Sequence, residues 1–586
     1  MHDMPSGAVS PAPRSPVPAG KAWRFLDADA DQVGRLVAAL GVPEPIARAL
    51  VNRSHADEES AARFLDPRLA GLRDPAAIPT MAVAVRRVWD AIRASEPILV
   101  FGDYDVDGIA STALLTRVLR ELGGTVASFI PHRIDHGYGL TCGALRQAHD
   151  RHHPRLIITV DCGTGSVEAV ELARELGVDV IVTDHHEPPA EPARALALLN
   201  PKAGGSPEDH ILAGVGVAFK LAHALVKLGR TEGNRAALSL DLRRLLYLVA
   251  LGTIADMVPL VGENRILASH GLDQMNRDMP VAIQALCEVS GIREVLTTYH
   301  IGFLLGPRIN AAGRMDSPET ALELLLCDQF EKAAPLAAQL QDANEERKLI
   351  ESEIESQALR QVEEQFDPAS VFAIVASARG WHPGVVGIVA SRLVGRFHRP
   401  AIVIGIDDAG KGKGSCRSID GFDLVGHLGE LSAMLVRHGG HPMAAGLEIH
   451  EQHIGEFRTR LNDLARRSLH GRDLRPVLKL DAWLNPADIG EDLMGHIGRM
   501  MPFGLSNPTP VWACRGLQIE RSVVVGRKHL KMQFRSNGLT LEAIAFGFAE
   551  REIPGGAVDV AFQLRRNHFN GHDTLQLQVE DIRPSA

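Results

Sequence analysis

Three aspartates lie at alternate positions in one short segment of the chain. Asp103, Asp105 and Asp107 follow the apolar run 98–101, and Gly102 allows a sharp turn before the first carboxylate. Three carboxylates packed together repel one another, and each resists ionisation unless a cation lies among them. Hard divalent cations such as Mg²⁺ and Mn²⁺ prefer oxygen ligands of this kind. The spacing therefore predicts a metal site, and the competing interpretation is an acidic surface turn.

The elements that would position this segment alternate between strands and helices. Residues 98–101, 126–130, 156–160 and 178–182 are apolar runs typical of buried strands, and helical patterns separate them. This βαβα order predicts a parallel sheet. Ligands bind in the crevice at the carboxyl ends of the strands of such a sheet.

Other carboxylates and histidines follow neighbouring apolar stretches. The side chains at these places are Asp105, Asp107, Asp161, His185 and Asp256. If they converge, they suit two divalent cations about 3.5–4 Å apart that hold an activated water and a phosphate oxygen. The alternative is that each aspartate caps the helix after it. The stretch before Asp256, residues 245–251, is predicted to be helical.

Composition and charge limit the function classes. The 586 residues are 45% hydrophobic and 23% charged, as in an ordinary globular protein. A net charge of −10 argues against nonspecific coating of nucleic acid but leaves room for a local basic path. Six scattered cysteines without a CxxC pair argue against a zinc site and favour a reducing, cytoplasmic location. No apolar run reaches about 18 to 20 residues, so we expect no membrane association.

Eight sequence motifs occur in an order that resembles a known superfamily. The segments GDYDVDG, VDCGTG and Asp184-His185-His186 resemble the DHH phosphoesterases. The segments GTIADMVPL, GPRINAAGRM, WHPGVVGIVASRL, GSCRS and GGHPMAAG follow, and the whole order is similar to the RecJ group of single-strand-specific exonucleases. The resemblance covers roughly residues 40–586.

The resemblance implies a site for two divalent cations, Mn²⁺ or Mg²⁺. Residues that match the metal ligands of the family are Asp103, Asp105, Asp107, Asp161, His185 and Asp256. His186 would contact the scissile phosphate or the attacking water. We expect all of these except Asp103 to be catalytic.

The family also implies recognition of a 5′-terminal phosphate. The matching residues are Arg133, Arg314, Ser415 and Arg417, and Arg308 is an alternative to Arg314 that the sequence does not exclude. Guanidinium groups bind phosphate oxygens bidentately, and hydroxyl groups supply further donors. Gly440 and His441 lie in a glycine-rich segment that would allow a sugar-phosphate chain to approach closely.

The fold class predicted for the chain is α/β, with a parallel-sheet DHH domain and a second α/β lobe, DHHA1, joined by a long helix. An OB-fold β-barrel is expected at the C-terminal end, where short strands alternate with Gly and Asn turns. The predicted boundaries are a disordered tail 1–21, a helical cap 22–78, DHH 79–325, connecting helix 326–367, DHHA1 368–470 and OB-fold 471–586.

A basic segment of the expected barrel could form a path for a single strand. Arg527, Lys528, Lys531 and Arg535 would contact phosphates, and nearby Phe534 and His529 would stack on bases. The alternative interpretation is a solvated strand face with Phe534 in the core.

By this resemblance the chain is expected to be a metal-dependent exonuclease that degrades single-stranded DNA from its 5′ end to 5′-mononucleotides. The expected context is DNA repair and recombination, with a helicase and a single-strand-binding protein as partners. One alternative is a DHH phosphodiesterase acting on oligoribonucleotides or cyclic dinucleotides, which would lack the barrel. The other is a non-catalytic scaffold of the replication apparatus, against which the intact acidic set argues.

Overall fold

The computed structural model describes residues 20–131, 139–315, 317–364, 366–569 and 572–585. The predicted tail lies outside them, apart from its last two residues. The chain divides into two compact units. The first unit comprises residues 27–346 and 484–510, and the second comprises the described parts of residues 1–26, 347–483 and 511–586.

The described strands are short in the first unit and longest near the C-terminal end. In chain order they are β1 Ala22–Phe25, β2 Pro97–Gly102, β3 Thr125–Phe129, β4 Leu156–Val160, β5 Asp179–Thr183, β6 Ala197–Leu199, β7 Ile374–Arg379, β8 Ala401–Ile406, β9 Lys411–Arg417, β10 Leu435–His441, β11 Ala444–His450, β12 Val477–Leu480, β13 Ala482–Trp483, β14 Trp512–Val525, β15 His529–Ser536, β16 Leu539–Ala545, β17 Ala557–Phe569 and β18 His572–Pro584.

The described α-helices are concentrated in the first unit. They are α1 Ala30–Leu40, α2 Glu44–Val51, α3 Glu58–Leu65, α4 Met81–Arg93, α5 Val106–Glu121, α6 Cys142–His152, α7 Val167–Glu175, α8 Gly214–Thr231, α9 Arg235–Ser239, α10 Leu246–Ala255, α11 Gly262–Arg277, α12 Val281–Ser290, α13 Gly306–Met315, α14 Glu319–Leu326, α15 Phe330–Glu363, α16 Val386–Phe397, α17 Leu424–Glu430, α18 Ile454–Leu469 and α19 Glu491–Met500. Within the described ranges, none combines the length and apolar character needed to cross a bilayer.

The first unit contains the predicted parallel sheet, in the order β3-β2-β4-β5-β6. Its strands β2, β4 and β5 contain continuous apolar runs because both of their faces are covered. Along β2, Ile98 and Val100 pack into one core cluster, whereas Leu99 and Phe101 pack into the cluster on the opposite face. Asp256, by contrast, follows helix α10, as the apolar stretch before it predicted.

A helical layer of the first unit includes residues from a distant part of the chain. Helix α19 packs against α2 and α3. Arg265 is buried, and it donates hydrogen bonds to the backbone oxygens of Phe64, Arg499 and Met500. Residues 484–510 therefore pack with the first unit, through contacts of Arg265 that join segments about 200 residues or more apart. Their assignment to the OB-fold domain stays a prediction.

The predicted helical cap also differs at its start. Residues 22–25 form strand β1, which pairs in parallel with β12 of the second unit. The helices expected after it are present as α1, α2 and α3. The domain boundaries stay predictions.

The second unit contains the predicted second α/β lobe. Its sheet has the order β10-β11-β9-β8-β7, in which β7 and β8 are parallel and the other pairs antiparallel. The long helix α15 precedes it in the chain and contains Pro335 near its start, close to the predicted span.

The C-terminal strands form the expected OB-fold barrel. The order β14-β15-β16-β18-β17 closes because β14 also pairs with β17. Short strands were expected throughout this part of the chain, but residues 512–525 form the single long strand β14. A register shift between Cys514 and Leu517 marks the bulge at which this strand bends.

Candidate metal centre and nucleic-acid-binding residues

The turn after β2 is held by hydrogen bonds and close glycine contacts. Asp105 caps helix α5, since its Oδ1 accepts from the backbone N–H groups of Asp107 and Gly108 at 3.0 and 3.1 Å. A Cβ on Gly108 would lie 2.4 Å from the backbone oxygen of Asp103. The capping alternative and the metal-site prediction thus both apply to Asp105, because a carboxylate has a second oxygen for a further ligand.

Asp107 is buried at the N-terminus of helix α8. Its two oxygens accept from the N–H groups of Gly214 and Val215 at 2.7 and 2.9 Å, where the helix dipole favours negative charge. Gly252 in helix α10 approaches the same carboxylate so closely that a Cβ there would lie 2.6 Å from Asp107 Oδ1. Gly252, from a distant segment, therefore makes room for Asp107.

Asp161, the residue after β4, lies at the centre of the cluster. Its backbone adopts a left-handed conformation with φ of 60°, and a Cβ on Gly214 would lie 2.6 Å from its Oδ1. His185 Nε2 lies 3.2 Å from Asp161 Oδ1 and 3.5 Å from Asp256 Oδ2. Both Asp161 Oδ1 and His185 Nε2 are buried without a hydrogen-bond partner among the described residues. Buried polar atoms are rarely left unpaired, so these two are ready to ligate an ion.

Asp184 supports the histidines without facing the cluster. Its carboxylate accepts from the N–H of Thr164 at 2.9 Å, from the N–H of His185 at 2.7 Å and pairs with His186 Nδ1 at 2.8 Å. Although burial favours the neutral form of Asp184, its hydrogen bonds with His186 and Thr164 hold its pKa below its usual value. Burial opposes charge on His186, but the bond to Asp184 raises its pKa to about 9, so His186 is a proton donor at neutral pH.

The ligating atoms form overlapping groups that fit divalent cations. Within each group they lie within 4.8 Å of one another: Asp103, Asp105 and Asp161; Asp107, His185 and Asp256; and Asp161, His185 and His186. Asp161 belongs to two of the groups and so stands between them. A donor set of carboxylates with imidazole suits Mg²⁺ or Mn²⁺ and provides no thiolate for softer ions.

Burial and mutual repulsion shift the acidity of these groups. Burial, followed by the charges of neighbouring aspartates, raises the pKa of Asp103, Asp107 and Asp161 well above the usual value. The same causes raise the pKa of Asp256 to about 7, whereas burial lowers that of His185 to about 4. His185 is therefore neutral at pH 7, with a lone pair available for a cation.

Helix α13 brings Arg314, but not Arg308, to a partly open position. Asn310 Oδ1 accepts from the N–H of Val106, and a Cβ on Gly313 would lie 2.7 Å from the backbone oxygen of Tyr104, so the helix runs beside the acidic turn. Arg308 is only 5% exposed, and it donates to Gln341 Oε1 and to the backbone oxygen of Leu304. Arg314 is half-buried. Arg133 lies outside the described residues.

The other residues expected at a phosphate lie in the second unit. Ser415 and Arg417 share one face of β9, and Arg417 Nη1 donates to Ser415 Oγ at 3.1 Å. Helix α16 begins beside them, since a Cβ on Gly387 would lie 2.9 Å from Ser415 Oγ and 3.4 Å from Arg417 Nη2. A helix N-terminus with a guanidinium and a hydroxyl is suited to a phosphate group. Gly387 was not among the residues predicted from the sequence, although it lies in the motif WHPGVVGIVASRL.

Gly440 and His441 lie on β10, two strands from β9 in the same sheet. Their partners on β11 are Ala445 and Ala444, which in turn pair with Cys416 and Arg417. At φ of 140°, a Cβ on Gly440 would lie 2.5 Å from the backbone oxygen of Ala444, so only glycine fits there. The structure therefore places Gly440 and His441 at the same level of the sheet as Ser415 and Arg417.

The basic residues of the barrel are exposed, but the expected stacking residue is not. Arg527, Lys528, Lys531 and Arg535 all face solvent, and Arg535 pairs with Glu520 at 3.0 Å. Phe534 is completely buried, so the prediction that it stacks on bases is wrong: strand alternation points it into the barrel core. Phe546 is 55% exposed and meets His529 edge-on at 5.1 Å, which makes it the aromatic residue available on this surface.

Known domain families match three parts of the chain. The DHH family, N-terminal domain, matches residues 97–253; the DHHA1 domain matches residues 370–467; and the RecJ OB domain matches residues 480–581. These spans contain β2–β6, β7–β11 and the closed barrel.

Curated relatives and a solved structure match nearly the whole chain. The single-stranded-DNA-specific exonuclease RecJ of Bacillus subtilis is 38% identical over 568 residues, which is 95% of this chain and 70% of that protein. The protein of the same name from Haemophilus influenzae is 35% identical and covers 92% of this chain and 98% of its own. The crystal structure of RecJ with Mn²⁺ from Thermus thermophilus has a TM-score of 0.82 at 32% identity, covering 96% of this chain and 80% of that one.

Proposed function

The chain belongs to the RecJ family of single-stranded-DNA-specific exonucleases, and on that premise we propose that it hydrolyses single-stranded DNA from the 5′ end to 5′-mononucleotides. One observation in this structure supports the proposal independently of the family. Asp161 Oδ1 and His185 Nε2 are buried, unpaired within the described residues and 3.2 Å apart, in the middle of a set of carboxylates. A replication scaffold without catalysis would have no use for such a set.

Two divalent cations, Mn²⁺ or Mg²⁺, are proposed for the cluster. Asp103, Asp105, Asp107, Asp161, His185 and Asp256 would hold them, and Asp161 would serve both. When bound, the cations make a water molecule nucleophilic and offset the negative charge of the phosphodiester. His186 is protonated at neutral pH and oriented by Asp184, so it would donate a hydrogen bond to an oxygen of the scissile phosphate.

Recognition of the 5′ end is proposed for two sets of donors. Ser415, Arg417 and the start of helix α16 would bind a terminal phosphate. Of the two arginines that the sequence left open, we propose Arg314, since it is half-buried whereas the side chain of Arg308 is buried against Gln341 and Leu304. Gly440 and His441 would contact the backbone of the strand. Arg133 stays a proposal from the family resemblance.

The barrel is proposed to bind a single strand on its basic face. Arg527, Lys528, Lys531 and Arg535 would contact phosphates, and Phe546 rather than Phe534 would stack on a base.

The setting of the activity is also a proposal. The family resemblance supports a role in DNA repair and recombination beside a helicase and a single-strand-binding protein. The six cysteines are free, which supports a reducing, cytoplasmic location.

The decisive experiment follows a single-stranded oligonucleotide labelled at its 3′ end, with Mn²⁺, beside the same strand in a duplex. We expect a ladder that shortens from the 5′ end on the single strand only. Asp256→Asn should abolish it, because the substitution removes a ligating charge while keeping the shape of the side chain. Binding without cleavage under any divalent cation would refute the nuclease and leave the scaffold.

Substitutions of the arginines test the 5′-end proposal separately. Arg314→Gln and Arg417→Gln should reduce the preference for 5′-phosphorylated over 5′-hydroxyl ends while leaving cleavage of hydroxyl ends measurable. Arg308→Gln should instead lower the unfolding temperature, since it removes the guanidinium that donates to the backbone oxygen of Leu304 and to Gln341 Oε1. Loss of end preference in Arg308→Gln alone would reverse the assignment.

A further inference from the structure

Two aromatic rings stand exposed on the first unit, just before helix α13. Tyr299 is 59% exposed and Phe303 is 69% exposed, and their rings stack with centroids 5.2 Å apart and planes 26° from parallel. Large aromatic side chains normally bury most of their surface, so a stacked pair in solvent is unusual. Neither the metal-binding role nor the phosphate-binding role proposed above involves this ring pair.

The backbone around the rings holds them outward. Residues His300–Leu305 form a π-helix, a rare element that is frequent at functional sites. Its inner side chains, Ile301 and Leu305, are fully buried. His300 is also buried, and its Nδ1 accepts from the backbone N–H of Thr297 at 3.0 Å. The rings are thus the outer face of a well-anchored turn.

This turn lies next to the acidic cluster. A Cβ on Gly306, the residue after the π-helix, would lie 3.6 Å from Ala255 Cβ and 3.8 Å from Val106 Cγ2. These neighbours precede Asp256 and Asp107 in the chain. Phe303 stands three residues before Gly306, which is about 5 Å of helical backbone. The turn that carries the ring pair therefore packs against the start of α5 and the end of α10, the two helix ends next to which Asp107 and Asp256 lie.

We propose that Tyr299 and Phe303 form a stacking platform for an unpaired base of the DNA strand held at the acidic cluster. This proposal rests on the proposed function and adds a determinant of strand specificity. An unpaired base offers its π-face to an aromatic ring, whereas the bases of a duplex are stacked on their neighbours. Because both rings are uncharged and flat, the platform accepts any base.

The test combines ring substitutions with strands that lack single bases. The variants are Phe303→Ala, Tyr299→Ala, Phe303→Leu and Phe303→Tyr, with Leu238→Ala as the control for loss of an equally exposed apolar side chain elsewhere on this unit. Binding is measured without divalent cation, and KM and kcat with Mn²⁺, on an intact strand and on strands with one abasic site at successive positions.

We expect Phe303→Ala to weaken binding and raise KM roughly 5- to 150-fold, the range of one base-stacking contact, with kcat little changed. One abasic position should weaken binding to the wild type by a similar factor and have no further effect on Phe303→Ala. Phe303→Tyr should behave as the wild type and Phe303→Leu as the alanine variant, because leucine keeps the apolar area but has no flat ring.

The stacking platform would be refuted if both alanine variants kept the wild-type KM and still bound the abasic strands as much more weakly than the intact strand as the wild type does. That result would indicate a surface for a protein partner. Equal binding by Phe303→Leu and the wild type would also overturn it. Failure of the wild type to cleave any single strand would refute the proposed function instead, and the binding measurements without cation would still decide the stacking question.

Discussion

Neutralising Asp161 should stabilise the protein in the absence of metal while removing its response to metal. Asp161 is 2% exposed, and its Oδ1 has no hydrogen-bond partner in the described part of the chain. At an effective dielectric constant of about 20, two unit charges within 4.8 Å repel by about 3.5 kcal/mol or more. Asp161→Asn keeps the shape of the side chain and removes at least one such repulsion. We therefore expect the metal-free variant to gain about 2–4 kcal/mol.

The assay is thermal unfolding at pH 8 in EDTA and in Mn²⁺. The wild type should unfold at a higher temperature in Mn²⁺ than in EDTA, because a cation that binds only the folded state stabilises it. Asp161→Asn should unfold later than the wild type in EDTA and show little shift with Mn²⁺.

Asp184→Asn is the matched control for this prediction. Asp184 is equally buried, but its oxygens accept from Thr164 and His185 and pair with His186. An asparagine places a donor against donors there, so this variant should lose about 1–3 kcal/mol. If Asp161→Asn were destabilising in EDTA to the same degree, or kept the full Mn²⁺ shift, the inference would be refuted that Asp161 is a metal ligand whose charge destabilises the metal-free protein.

Three further predictions concern other parts of the chain. Gly387→Ala should weaken recognition of 5′-phosphorylated ends about tenfold in the end-preference assay, because the added Cβ would displace Ser415 Oγ. Gly395→Ala in the same helix is the control: its Cβ meets no described atom within 4 Å and should have no effect in that assay. Phe546→Ala should weaken single-strand binding in a fluorescence anisotropy titration about 5-fold or more without lowering the unfolding temperature; unchanged binding would show that the exposed ring has no such role. Burial and the nearby Arg265 lower the pKa of His55 to about 4, so its contribution to stability is present above pH 6.5 and is lost as pH falls toward 4. In urea unfolding, His55→Gln should therefore lose less free energy of unfolding over this pH range than the wild type. Equal losses would contradict the role of His55 in this pH dependence.

Much of the acidic site could be predicted because it depends on local sequence. A buried parallel strand is read as a continuous apolar run, and the residue after it must lie at the carboxyl edge of the sheet. Asp103 and Asp161 follow β2 and β4 in this way, and the structure brings them within ligand distance. Asp256 follows helix α10 and not a strand, and both its place after an apolar stretch and the family resemblance pointed to it.

The tertiary structure alone decided which of the candidate side chains are available. Arg308 and Arg314 stand in one motif, and only packing against Gln341 shows that Arg308 is buried. Phe534 and Phe546 are equally aromatic in sequence, but the pleat of β15 turns Phe534 into the core. Such choices depend on neighbours distant in the chain.

The sequence by itself determined the order of elements, the parallel sheet and the acidic residues at its edge, because hydrophobic periodicity and strand ends are local properties. Only the tertiary structure decided that Gly214 and Gly252 must be glycines beside the carboxylates, and that residues 484–510 pack with the first unit. The physical reason is the same in both cases. Close packing is set by atoms that meet in space, and their separation along the chain carries no signal of that meeting.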